Sequence, residues 1–215
     1  MHPTVDNIYE HKIIAILRRL QEEDIYLIVD ALVQGGIRII EITADTDNIL
    51  TVIETLKKKY SATLTIGVGT VLQPDRIASF IEAGASFILS PNLNESVIKR
   101  TKELGSVSIP GALTPSEIIS AYEYGADIVK LFPANRFGSA YLKDLQGPLP
   151  HIPILPTGGI DESTIGGYLE IGCAGFGVSS GLKTNCTNPD ASRLQTITKT
   201  AERLVKQVQG VKPIA

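Results

Sequence analysis

Short apolar runs alternate along the chain with amphipathic stretches of helical length. KIIAIL (12–17), IRIIEIT (37–43), LTIGVG (64–69), SFILS (86–90), VSIPG (107–111), DIVKLFP (127–133), IPILPTGG (152–159) and AGFGVSS (174–180) are rich in β-branched residues and predict eight strands. Helix starts are marked between them. In Thr114-Pro115-Ser116-Glu117 a threonine can cap, a proline suits the first helical position and a glutamate reaches back to complete a capping box. Asp161 and Asn188-Pro189 predict two more starts. Four helix-to-strand joints, QGGIRIIEIT, EAGASFILS, EYGADIVKLF and EIGCAGFGVSS, carry glycine just after the helix, where it supplies the left-handed backbone that turns the chain back.

A strand–helix unit of about 25 residues repeated eight times is the period of a parallel barrel. The predicted fold is therefore α/β, a single (β/α)₈ TIM barrel in one domain over residues 1–215. Leu194, Ile197, Ala201, Leu204 and Val208 form one stripe, so residues 188–208 read as a terminal amphipathic helix, expected to cover the barrel base. A doubly wound open sheet is the alternative architecture. It usually needs a glycine-rich turn after the first strand, and that turn here reads LRRLQEED.

Composition narrows the partners more than the fold. The 215 residues suit one large barrel, and 43% hydrophobic with 20% charged residues is ordinary for a soluble α/β protein. A net charge of −3 speaks against a nucleic-acid surface, which needs clustered positive charge. MHPTVDNIYEHK lacks a basic region followed by an apolar one, and no apolar run is long enough to span a bilayer, so the expected location is the cytoplasm, away from membranes. Cys173 and Cys186, with His2, His11 and His151, have neither a disulfide framework nor metal-ligand spacing, so no metal is expected.

In such a barrel, chemistry is carried at the C-terminal ends of the strands. The polar residues there are Arg18, Glu41, Thr43, Asp45, Thr70, Ser90, Lys130, Thr157, Gly158, Gly159, Ser179 and Ser180. Ile39, Glu41 and Thr43 share one strand face and Ile40 and Ile42 the other. The isoleucine pair suits the helix layer, so Glu41 is predicted to point into the barrel. By the same alternation Ile128, Lys130 and Phe132 face inward, with Val129 and Leu131 outward.

Lys130 and Glu41 admit two readings. One is a structural buried ion pair, but desolvating both ions costs several kcal/mol each, and apolar replacements are often as stable. The other is a Schiff-base lysine: a dry barrel mouth favours the free amine, which can attack a ketone. A carboxylate beside it favours the ammonium instead, so Glu41 is better cast as a proton shuttle than as the activator. PTGGI (156–160) and GVSSGL (177–182) end the last two strands, where barrels of this kind often hold phosphate on backbone N–H groups. GVGT (67–70) and SPNL (90–93) place Thr70 and Ser90-Pro91 on the rim.

With IIAILR (13–18), EIT (41–43), GVGTVL (67–72), SPNL, IPGALTPSE (109–117), VKLFPA (129–134), PTGGI and GVSSGL in this order and spacing, the chain resembles the class I aldolases that act on 2-keto-3-deoxy-6-phosphogluconate (KDPG) and 4-hydroxy-2-oxoglutarate (KHG). The resemblance implies a (β/α)₈ barrel, usually a homotrimer, needing neither metal nor cofactor. Such carbon–carbon lyases split the keto acid reversibly to pyruvate and an aldehyde, glyceraldehyde 3-phosphate or glyoxylate. The family's Schiff-base lysine falls on Lys130 and its acid–base glutamate on Glu41. Its carboxylate-holding threonine falls on Thr70, and its phosphate-binding glycines and serine fall on Gly158, Gly159 and Ser180. Arg18 matches an anion-binding arginine of many relatives, and Pro91 stands with the substrate-binding rim.

Two departures bear on specificity. Many relatives read E-x-T-x-R-T where this chain has Glu41-Ile42-Thr43-Ala44-Asp45-Thr46, so Asp45 reverses a charge expected near an acidic substrate. Thr43 and Asp45 are therefore candidate specificity positions. Ser179 stands where a glycine is frequent and is expected to narrow the approach to the phosphate. An aldolase for a stereoisomeric or unphosphorylated 2-keto-3-deoxy acid, and a non-catalytic sugar-phosphate-binding barrel, remain open alternatives.

Overall fold

The computed structural model describes residues 2–61 and 63–209. Helix α1 (Pro3–His11) leads into β1 (Ile13–Leu17), α2 (Glu22–Gln34), β2 (Ile39–Thr43), α3 (Ile49–Tyr60), β3 (Thr65–Gly69), α4 (Ile77–Glu82), β4 (Phe87–Leu89) and α5 (Glu95–Glu103). There follow β5 (Val107–Ile109), β6 (Gly111–Ala112), α6 (Pro115–Glu123), β7 (Val129–Leu131), α7 (Gly138–Gln146), β8 (Ile154–Pro156), α8 (Ile165–Leu169), β9 (Phe176–Val178) and α9 (Ala191–Gln209). Every ladder is parallel. One curled sheet runs β5-β4-β3-β2-β1-β9 and a second β6-β7-β8. The described strands number nine, because VSIPG breaks at Pro110, which has no N–H to give the ladder. Beyond β8, Thr157 bridges in parallel to Gly177 of β9.

The predicted alternation decides which layer each strand residue joins. Ile14, Ile39, Phe87, Ile109, Ile128 and Leu155 pack together inside the curl, whereas Ile40, Ile42, Val129 and Leu131 pack against the helices. Each such fully buried side chain contributes about 1.5–3 kcal/mol. Gly36, Gly84, Gly125 and Gly172, one at each expected joint, have φ of +90°, +116°, +100° and +86°. The capping box at α6 is complete: the Glu117 N–H donates to Thr114 Oγ1 at 3.3 Å and the Thr114 N–H to Glu117 Oε2 at 2.8 Å.

The base is closed differently from the sequence expectation. Val5 and Ile8 of α1 pack under Ile14, Ile39 and Phe87, so α1 is the plug. The terminal helix α9 lies in the outer layer against α2, burying Ile197, Ala201, Leu204 and Val208, with Ala201 set against Gly35 where no side chain intervenes. It starts at Ala191, after Asp190 accepts the Arg193 N–H at 2.7 Å, so Asn188-Pro189 precedes the helix. No described helix is long and apolar enough to cross a membrane.

Candidate active site

The C-terminal ends of the strands open onto a cavity of about 290 Å³. Glu41 and Thr43 reach it from β2, Lys130 from β7, Arg18 from just past β1, Thr70 from just past β3 and Pro91 from beyond β4. Gly158 and Gly159 after β8, with Ser179 and Ser180 after β9, form its remaining rim. Residues far apart in sequence are thus assembled around one space because parallel strands all end on the same side.

Lys130 is 6% exposed and Glu41 2%. Among the described residues neither side chain makes a hydrogen bond, and no ion pair within 4.0 Å joins them. Glu41 Oε2 is buried with no hydrogen-bond partner among the described residues, and Lys130 Nζ lies 5.2 Å from the centroid of the Phe132 ring. The structural ion-pair reading therefore fails on geometry: two groups have been taken out of water without compensating each other. Ionisable groups held in that way, in a cleft, are a feature of reactive sites.

Glycine makes the room. Thr43 pairs with Gly69 in the β2–β3 register, and a side chain at 69 would overlap the Glu41 carboxyl. Gly67 in the same strand leaves space for the Phe87 ring. Thr70 then takes a left-handed backbone, φ +58°, which costs a non-glycine residue about 1 kcal/mol or more and is held by the Val71 N–H donating to Leu89 O at 3.1 Å.

At the opposite wall Gly158 (φ +97°) and Gly159 (φ +69°) present bare backbone to the cavity. Their turn is tied from both sides. The Asn135 N–H donates to Gly158 O at 3.1 Å, and the Thr164 hydroxyl donates to Gly159 O at 3.1 Å. Asp161 caps the same turn, accepting from the Ser163 hydroxyl and from the N–H groups of Ser163 and Thr164, which hold its carboxyl below the usual range.

A family model described as KDPG and KHG aldolase matches residues 5–199. The chain belongs to this aldolase family. It is 32% identical over 171 residues to the 2-dehydro-3-deoxy-6-phosphogalactonate aldolase of Escherichia coli (strain K12), covering 79% of this chain and 83% of the relative. To the 2-dehydro-3-deoxy-phosphogluconate aldolase of Pseudomonas aeruginosa it is 37% identical over 163 residues, covering 75% and 74%. Its fold matches the crystal structure of KDPG aldolase from Legionella pneumophila, with pyruvate captured as a covalent carbinolamine intermediate, at a TM-score of 0.77 and 25% identity over 97% of both chains.

In this aldolase the structure leaves two of the strand-end polar residues outside the cavity. Asp45 stands beyond the end of β2, in a turn closed by the Thr46 N–H donating to Thr43 O at 2.9 Å, and does not line the pocket. Its carboxylate lies 3.9 Å from Arg19 Nε, with both side chains well exposed, a pair contributing at most about 1 kcal/mol. Strand alternation orients side chains only while the strand lasts. Ser90, expected on the rim, is likewise not among the residues lining the cavity: it is buried and donates its hydroxyl to Asn92 O at 2.7 Å.

The aldolase cavity also takes in Ile16, Phe132, Thr157 and Gly177, to which the sequence assigned no role. The signal for three of them was present: Ile16 and Phe132 share strand faces with Arg18 and Lys130, and Thr157 stood among the strand-end polar residues. Gly177 was marked only as the first residue of GVSSGL, and its value is spatial: a side chain there would overlap the Thr157 hydroxyl. Among the described residues no group of three His, Cys, Asp or Glu could hold a metal. Cys173 lies near the strand starts, where burial pushes its thiol up to about 12, so it is not a nucleophile at neutral pH.

Proposed function

We propose that the chain is a class I aldolase that cleaves a 2-keto-3-deoxy-6-phospho sugar acid of the KDPG type, or 4-hydroxy-2-oxoglutarate, to pyruvate and an aldehyde. The observation that carries this is the Lys130 amine, buried in the cavity beside Glu41 yet paired with no carboxylate. Lys130 attacks the C2 ketone, and water leaves the carbinolamine to give an iminium. As the C3–C4 bond breaks, its electron pair flows into the iminium and Glu41 takes the proton of the C4 hydroxyl, releasing the aldehyde. The remaining enamine is protonated at C3, and hydrolysis returns pyruvate and the free lysine. Protonated nitrogen is the electron sink. Arg18 and Thr70 are assigned to the carboxylate, and Gly158, Gly159 and Ser180, flanked by Ser179, to a phosphate. Alignment of the two substrate ends supplies much of the acceleration.

The architecture suited to this chemistry is a closed eight-stranded (β/α)₈ barrel in one domain. Closure is supported by the short step across Pro110 from β5 to β6 and by the Thr157–Gly177 bridge between β8 and β9. A homotrimer in the cytoplasm is the matching assembly, and exposed Leu72 and Phe137 suit a subunit contact.

Borohydride reduction in the presence of pyruvate tests the reading: the Lys130 peptide gains the mass of reduced pyruvate, and Lys130→Met abolishes both the label and pyruvate release. Pyruvate release that survives Lys130→Met would refute it, and a non-catalytic sugar-phosphate barrel takes no label. A stereoisomeric substrate is the second reading, favoured by the phosphogalactonate aldolase among the relatives. A panel of both C4 epimers, with and without phosphate, separates the two.

A further inference from the structure

Thr43 is 1% exposed, lines the cavity, and its hydroxyl finds no partner among the described residues. Glu41, two residues earlier on the same strand face, has Oε2 in the same condition. They do not bond each other, and on the β3 side Gly69 faces Thr43 with no side chain at all. A buried hydroxyl without a partner costs free energy, and valine would fill the same volume without that cost. Stability therefore gives no reason for threonine here.

We infer that Thr43 is a positioning residue for proton transfer: its hydroxyl and the Glu41 carboxylate share one water, through which the proton reaches C3 of the enamine. Side chains two apart on a strand start roughly 6.6 Å apart along it, but the Glu41 carboxyl leans over Gly69, the residue paired with Thr43, which shortens the gap to one that a single oxygen bonded to each at about 2.8 Å can span. A buried water needs two or more polar partners, and these two atoms qualify. The step balances: the enamine carbon gains the water's proton, the water takes one from protonated Glu41, and the iminium is restored at the nitrogen. Run backwards, the same path lets the methyl protons of pyruvate exchange with solvent. Thr43 touches the water and acts through Glu41.

This rests on the Lys130 Schiff-base reading, and the test separates the two. Thr43→Val is compared with wild type in thermal melting, borohydride labelling with pyruvate, aldol cleavage, and exchange of pyruvate methyl protons into D₂O followed by NMR. We expect a melting midpoint at or above that of wild type and label still on Lys130. Both kcat and the exchange rate should fall at least about tenfold, towards the lower range of acid–base effects, with KM changed less than about twofold. Thr43→Ser should restore most of the rate, and Thr43→Ala gives the same readout if the valine variant does not fold. Exchange in the variant at the wild-type rate, or a raised KM with kcat intact, overturns the proposal. Wild-type protein that takes no label removes the Schiff-base reading and this inference with it.

Discussion

Gly69→Ala separates the placement of Glu41 from the stability of the fold. Gly69 sits in β3 with an ordinary strand backbone, so alanine fits its conformation and is favoured in a strand by roughly 0.5–1 kcal/mol over glycine. The added Cβ would stand 2.7 Å from Glu41 Cγ and overlap the carboxyl beyond it. Ordinary contact needs about 3.5 Å or more between carbons, so Cγ must retreat by roughly 1 Å and the carboxyl, whose atoms lie nearer still, by more. The group that moves is the free end of a flexible side chain, so the melting midpoint should shift by no more than about 4 °C, the equivalent of about 1 kcal/mol in a chain of this size. Catalysis should suffer far more. A displacement of about 1 Å of a reacting group costs about 100-fold, equivalent to about 2.7 kcal/mol in the barrier. Coupled pyruvate release measures kcat/KM, and circular dichroism the melting midpoint, for Gly69→Ala and Glu41→Gln side by side. If Glu41→Gln is crippled while Gly69→Ala keeps its activity within about threefold, the carboxyl does not depend on that space and the reasoning fails.

Two further outcomes test the walls of the site and the fold around it. Gly159→Ala forces a left-handed residue to carry a Cβ that overlaps the Asn135 side chain. It should cost more than about 1 kcal/mol and raise KM for a phosphorylated substrate several-fold more than for its unphosphorylated analogue; equal effects on both would deny this turn a phosphate role. At α6 the N–H groups of Thr114 and Leu113, with the Thr114 hydroxyl, hold the Glu117 carboxyl below its ordinary value. A depressed carboxylate stabilises the fold above its unfolded value, about 4.3, and that stability is lost as pH falls through the folded value. Urea titrations should therefore show Glu117→Gln less stable than wild type at pH 7, with the gap closing below about pH 4; a gap independent of pH would contradict the assignment.

Much of this aldolase is legible in its amino-acid sequence, and for a common reason. Strand alternation and helix capping are local, so Glu41, Lys130 and their outward-facing neighbours can be sorted by counting residues, and parallel strands that end together bring Arg18, Thr70, Gly158 and Ser180 to one side. The same logic misleads where locality stops. Asp45 is carried into the site by an alternation that ends at Thr43, and the terminal helix is given the base of the curled sheet, where the short apolar face of α1 packs instead. Two facts belong to the tertiary structure alone: the place at Gly69 that admits the Glu41 carboxyl, and the distance that keeps Lys130 and Glu41 from neutralising each other. Each depends on the register and tilt with which neighbouring strands meet, a property of pairs of segments that no single segment encodes.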